Sequence, residues 1–137
     1  MLKVLPIQSK TEQEAICLRC GVKYDADLLA YSATIDDRLV GVCQFKVTDQ
    51  GGIIKDIASV LEGENETEEK EALFVLGRAT LNFIDLTGMH KAYFEADCDE
   101  ALIRRIGFKK VKNEKGDEIY FADLTNFFCE PCKQGKN

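Results

Sequence analysis

Cysteine is the residue type in this chain whose spacing most directly suggests chemistry. There are six, and four fall in two CxxC pairs, CLRC at Cys17 and Cys20 and CEPC at Cys129 and Cys132. Zinc favours four thiolates in a tetrahedral array, commonly drawn from two such pairs. On a helix, residues i and i+3 share a face, so Cys17 and Cys20 could chelate together, while Pro131 favours a tight turn that presents the other two sulfurs. A zinc or redox site on Cys17, Cys20, Cys129 and Cys132 is therefore one reading. The competing reading is buried cysteines on a helix and ordinary thiols on a tail, because more than a hundred residues separate the pairs and compact zinc ribbons do not look like that. Cys43 and Cys98 stand alone and read as small buried apolar residues. The opening MLKVLPIQSK has too short an apolar stretch for a signal peptide, so the thiols are expected to be reduced and the chain cytoplasmic. His90, the single histidine, reads as a surface or edge residue.

The second chemical feature is a block of acid. Between Glu62 and Glu71 six glutamates stand against one lysine, which accounts for −5 of the net charge of −6. The remainder is nearly balanced, which argues against general nucleic-acid binding, since that needs a basic face. Acid at a helix start is ordinary, since the exposed N–H groups and the macrodipole favour it. The same groups make a helix start an anion site, and there the glutamates act against a phosphate.

Around these residues the pattern predicts one domain over residues 1–128 and a tail over 129–137. Hydrophobic residues make up 45% and charged residues 31% of the 137, enough for a core and unlike a disordered chain. No apolar run approaches the roughly 20 residues of a membrane span. MLKVLPI reads as a strand. SKTEQEAICLRCG reads as a helix, with a capping box at Ser9 and Glu12 and a stop at Gly21. LLAYSATI, LVGVCQFKV and IIKDIASV read as an antiparallel run, with Leu39, Cys43, Phe45 and Val47 expected on one face. Ala72, Leu76, Ala79 and Phe83 recur at helical spacing over about residues 67–87. HKAYFEA is a strand. Asp97 and Glu100 form a capping pattern before a short helix ended by Gly107, and FKKVKN and DEIYFADL make a final hairpin. The order is β-α-β-β-β-α-β-α-β-β, an α/β fold with a mixed sheet covered by helices.

That order, with particular segments, resembles the GNAT acyltransferase superfamily. DEALIRRIGFKKV is similar to the family's late helix-to-strand segment, A-x-x-F-Y-E-K-L-G-F-K-x-V, through Ala101, Gly107, Phe108, Lys109 and Val111. RLVGVCQF resembles its third strand, and EALFVLGRATLNFIDLTGMHKAYFEA its central helix and fifth strand. The likeness runs from Met1 to about Leu124. The family usually carries two helices between its first two strands, and Lys23 to Asp27 leaves room for no second one.

The resemblance implies an N-acyltransferase that moves an acetyl or acyl group from acyl-coenzyme A to a small-molecule or peptide amine, while the charge balance and the apolar runs argue against nucleic acid and membrane as partners. It implies that the fourth and fifth strands splay apart and that the pantetheine arm pairs with the fourth, here at Ala58, Ser59 and Val60. It implies a pyrophosphate at the start of the central helix, on a loop of pattern R/Q-x-x-G-x-G/A. The matching segment here is ENETEEKEA, which has no arginine, glutamine or glycine. It offers Glu66, Glu68 and Glu69 in their place, with Lys70 as the local compensating charge, so Glu69 and Lys70 are the candidate contacts. The family's thiolate-protonating tyrosine falls at Ile103, which cannot donate a proton. Asp56 is the candidate general base on the fourth strand, and Glu95 and Asp97 lie near the expected splay. A GNAT-fold protein that binds a ligand or partner without efficient catalysis is the alternative these departures raise.

Overall fold

Two aspartates allow the first tight hairpin. Asp36 and Asp37 both take positive φ, 51° and 68°, the backbone that a two-residue hairpin turn of matching twist requires and that aspartate tolerates better than most residues. They join β2 (Leu29–Ile35) to β3 (Arg38–Thr48). The computed structural model describes residues 1–125 and 127. In chain order it contains β1 (Leu2–Pro6), α1 (Lys10–Arg19), β2, β3, β4 (Gly51–Ser59), α2 (Glu66–Leu86), β5 (Lys91–Phe94), α3 (Glu100–Ile106), β6 (Lys109–Lys112) and β7 (Glu118–Asp123). This is the order expected from the sequence. A single helix stands between β1 and β2.

The strands form one seven-stranded sheet in the order β1-β2-β3-β4-β5-β7-β6. All neighbours are antiparallel except β4 and β5, which run parallel. Helix α2 covers one face. Its seat on β4 is close enough that a Cβ on Gly52 would fall 2.3 Å from Cδ1 of Ile84, so that position requires glycine. The main core joins α2 and α3 to this face through Cys43, Phe45, Ile54, Ile57, Leu76, Leu81, Ile84, Ile106 and Phe108. Helix α1 covers the other face over a smaller cluster of Cys17, Cys20, Leu39 and Val42.

Local signals end the helices as expected in two cases. Ser9 Oγ accepts from the Glu12 N–H at 3.2 Å, and Gly21 takes φ 68° just past α1. The third helix differs. Its cap is Asp99, without a side-chain cap bond, and Asp97 is not the cap.

Strand β3 also departs from simple alternation. Residues 39–45 are all buried, because the strand has a helix on each side. The pairing passes from Ala33↔Gly41 to Thr34↔Leu39 and leaves Val40 as an extra residue. A bulge of this kind shifts the side-chain phase by one. Leu39 therefore packs under α1, while Cys43 and Phe45 pack under α2, where strict alternation puts all three together.

Candidate functional site

The parallel strands part company. Only Gly52, Ile53 and Ile54 of β4 pair with β5, and one further bond follows, Glu95 N–H to Ile54 O at 2.9 Å. Beyond it, residues 56–59 of β4 pair with β3 alone. The parting is marked by an ion pair across it, Lys55 Nζ to Glu95 Oε1 at 2.7 Å. A sheet edge in mid-sheet leaves backbone donors and acceptors free for an extended ligand. Val60 N–H donates to Val40 O at 2.8 Å, and Ala58 O stands against Gly41 on β3. By the alternation of strand backbone, the N–H and C=O of Ile57 and Ser59 face the gap.

A second bulge decides what stands beside this gap. Gln44 pairs with Asp56 and Phe45 with Ile54, so Lys55 is the extra residue. Without it Asp56 would share the face of Gly52 and Ile54 and point into the α2 core. With it Asp56 turns to the α1 face, where Gln44 Nε2–H donates to its Oδ2 at 2.9 Å.

Gln44 is fully buried and Gln13 is 1% exposed. Gln13 Nε2–H donates to Gln44 Oε1 at 2.8 Å, and Gln44 Nε2–H also donates to Lys23 O at 3.0 Å. Asp25 N–H reaches Gln44 Oε1 at 3.3 Å, and Lys10 Nζ–H donates to Leu28 O at 2.6 Å. Two buried amides thus tie α1, β3 and the α1–β2 connection to Asp56, and no buried side-chain polar atom lacks a partner among the described residues. Neither glutamine was a sequence candidate. The available signal was a lone amide inside the apolar run LVGVCQF. Asp56 lines a cavity of about 470 Å³ with Lys23, Tyr24, Asp25, Ala26, Leu28 and Lys55.

On the opposite side of β4 lies a cleft of about 390 Å³. It is bounded by Ser59, by Glu66, Glu69, Lys70 and Leu73 of α2, and by Cys98, Asp99, Leu102 and Arg105. Asn65 caps α2, its Oδ1 accepting from Glu68 N–H at 3.0 Å. The acids are not equivalent. Glu66 approaches Lys70 at 3.8 Å, Glu68 pairs with Arg38 at 3.2 Å and Glu71 with Arg105 at 3.0 Å. Lys70 is thus one of three compensating cations, two of which come from distant parts of the chain. Arg105 also lies over the Phe74 ring at 4.0 Å, a favourable cation–π arrangement.

The remaining sequence candidates lie apart from the gap. His90 is exposed at the other end of β5, its Nδ1 2.6 Å from Asp85 Oδ1. Ile103 is 3% exposed and in the core. Cys17 and Cys20 are buried free thiols in the α1 cluster. Burial pushes the Cys17 thiol up to about 11 and the Cys20 thiol up to about 12. No group of three or more His, Cys, Asp or Glu suited to a metal occurs among the described residues. Cys129 and Cys132 lie outside those residues, so the zinc reading gains no support here.

No protein-family model matches the sequence, and no curated protein does. Solved structures do. The ribosomal-protein-S18-alanine N-acetyltransferase of Escherichia coli superposes with a TM-score of 0.64 at 12% identity, over 91% of this chain and 95% of that one. An acetyltransferase of Bacillus subtilis solved with CoA gives 0.63 at 16%, over 91% and 100%. The PaiA N-acetyltransferase of Thermoplasma acidophilum, solved with coenzyme A, gives 0.63 at 12%, over 90% and 99%. With the mixed seven-stranded sheet and the parted β4 and β5, these likenesses show that the chain has the GNAT acetyltransferase fold. No helix among the described residues is long and apolar enough to cross a membrane.

Proposed function

We propose that this protein transfers an acyl group from a thioester of the coenzyme A type to an amine. The observation that carries the reading is the parting of β4 from β5 with a cavity on each side: an apolar-walled cleft toward α2 and α3, and a polar one toward α1 that holds Asp56. In the gap, the free backbone of Ile57 and Ser59, with neighbouring Ala58 and Val60, receives the amide-bearing arm of the donor. The acceptor amine enters beside Lys23 to Leu28. Lys70 and Glu69 border the donor's far end.

The chemistry then needs few groups. Asp56 Oδ2 is held by Gln44, while its Oδ1 has no protein hydrogen bond among the described residues. That oxygen takes the proton from the attacking amine. The amine nitrogen bonds to the thioester carbon, the C–S bond breaks, and the sulfur leaves as thiolate. A thiol of pKa near 8.5 leaves without obligatory protonation, which suits a chain whose position for the family's tyrosine is the buried Ile103. Free backbone at the end of β4 polarises the carbonyl.

Asp56→Asn tests this. The amide keeps the size and its contact with Gln44 but cannot accept the proton. With acetyl-coenzyme A and, separately, S-acetylpantetheine as donors and a panel of primary amines and amino-terminal peptides, thiol release should fall about 10²- to 10⁴-fold, the usual weight of a general base. The melting temperature should hold within a few degrees. Unchanged turnover in the variant, or no turnover by either protein with any amine, sinks the catalytic role and leaves a GNAT-fold binding protein.

A further inference from the structure

The donor cleft does not treat the two ends of a coenzyme A thioester alike. Its β4 wall is neutral backbone and fits an amide arm. Its α2 wall does not fit the diphosphate. The N-cap bond from Asn65 already takes one of the N–H groups at the helix start. The loop before the helix contains one glycine, Gly63, and a carboxylate occupies the space beside it. A Cβ on Gly63 would fall 1.6 Å from Oε2 of Glu69. Helical side chains lean toward the helix N-terminus, and Glu69 leans back from the helix until it rests on the backbone of the connection from β4. Glu66, Glu68 and Glu71 each have a cation within 4.0 Å. Glu69 has none among the described residues, although it lines the cleft.

We propose that Glu69 is a built-in anion that takes the place of a ligand phosphate at the start of α2, so that the cleft selects acyl thioesters carried on an uncharged arm and rejects the diphosphate of coenzyme A. This rests on the acyl-transfer reading and names its donor class. The physical reason is direct repulsion. Two like unit charges about 4 Å apart oppose each other by roughly 1 kcal/mol in water and about 4 kcal/mol at the effective dielectric of a protein surface. A diphosphate placed at this helix start would meet the Glu69 carboxylate at such distances. Glu69 therefore sets donor specificity and touches no reacting atom.

The experiment uses S-acetylpantetheine, which has the arm and no phosphate, beside acetyl-coenzyme A. Wild type and Glu69→Gln are titrated with both by protein-detected NMR, at low and at moderate salt. Glutamine keeps the helix, being nearly as good a helix former as glutamate. Wild type should bind S-acetylpantetheine at least about tenfold tighter than acetyl-coenzyme A, and a preference within about threefold overturns the donor selection. Glu69→Gln should bind acetyl-coenzyme A at least about tenfold tighter, equivalent to 1.4 kcal/mol, with the gain shrinking as salt rises and S-acetylpantetheine unmoved. Wild type that favours acetyl-coenzyme A a hundredfold, with no gain in the variant, overturns the role of Glu69 and leaves the arm site standing. Failure of both proteins to bind either thioester overturns the arm site, and the donor selection with it. Equal tightening for both thioesters also overturns the proposal, since the effect would then lie on the arm and not on the phosphates.

Discussion

The two sides of β4 solve the same problem in opposite ways. Each must hold polar groups beside a gap in the sheet. On the α1 side the groups are neutral amides, Gln13 and Gln44, buried and joined in a chain that ends on Asp56. On the α2 side they are full charges on a helix surface, paired with cations that are themselves about half exposed or more. Buried neutral networks are costly to break, because each orphaned partner keeps its desolvation penalty. Exposed ion pairs contribute little, often below 1 kcal/mol. The α1 side should therefore be rigid and intolerant of substitution, and the α2 side tolerant in stability yet sensitive in ligand preference.

The largest effect expected from breaking this contrast is at Gln44. Gln44→Met keeps the volume but takes the partner from Asp25 N–H and Lys23 O, removes the bond to Asp56 Oδ2, and leaves Gln13 Nε2 with only its 3.3 Å bond to Leu28 O. It should lower unfolding stability by about 2–4 kcal/mol in urea, at about 1–3 kcal/mol per unsatisfied group before relaxation, and hydrogen exchange over residues 23–28 should quicken. A loss below about 0.5 kcal/mol would show that the amide chain is not what fixes this side.

Alkaline pH gives a graded effect on the buried thiols. Burial raises Cys17 to about 11, Cys20 to about 12 and Cys43 to about 12. Above about pH 9 the unfolded chain has released protons that the folded chain still holds, so stability must fall as pH rises from there toward 12. Below about pH 8 these thiols are neutral in both states and contribute no slope. Urea unfolding at pH 8, 9 and 10 checks the sign. Stability that rises across this range would mean that the thiols are not desolvated in the fold.

The smallest effect lies on the α2 side. Glu68→Gln removes the pair with Arg38, whose side chains are 57% and 40% exposed, and it should change stability by less than about 1 kcal/mol. Its effect on acetyl-coenzyme A binding should be smaller than that of Glu69→Gln, because Glu68 does not line the donor cleft. Equal effects from the two glutamines would show that net charge, and not the seat of one carboxylate, governs the donor.

Much of the fold was legible in the sequence because its signals are local. Period-two runs marked the strands, the spacing Ala72, Leu76, Ala79 and Phe83 marked α2, and Ser9, Gly21 and Gly107 marked helix ends. The third N-cap was misplaced because Asp97 and Asp99 both precede the helix and only the chain's path from β5 chooses between them. The acid block at the start of α2, and the absence there of glycine and arginine, were equally plain.

What the sequence alone determined, then, is which residues carry charge or amide and which elements they sit on. The tertiary structure decided which way they face. Asp56 looks toward α1 only because β4 bulges at Lys55, and Leu39 parts from Cys43 and Phe45 only because β3 bulges at Val40. A bulge is a property of two paired strands, settled by register against a partner, so neither strand's pattern contains it. Likewise Arg38 and Arg105 reach Glu68 and Glu71 across 30 and 34 residues, leaving Glu69 alone on Gly63. Charge can be counted along a chain, but compensation depends on distances of a few ångströms, and those exist only once the helices have packed on the sheet.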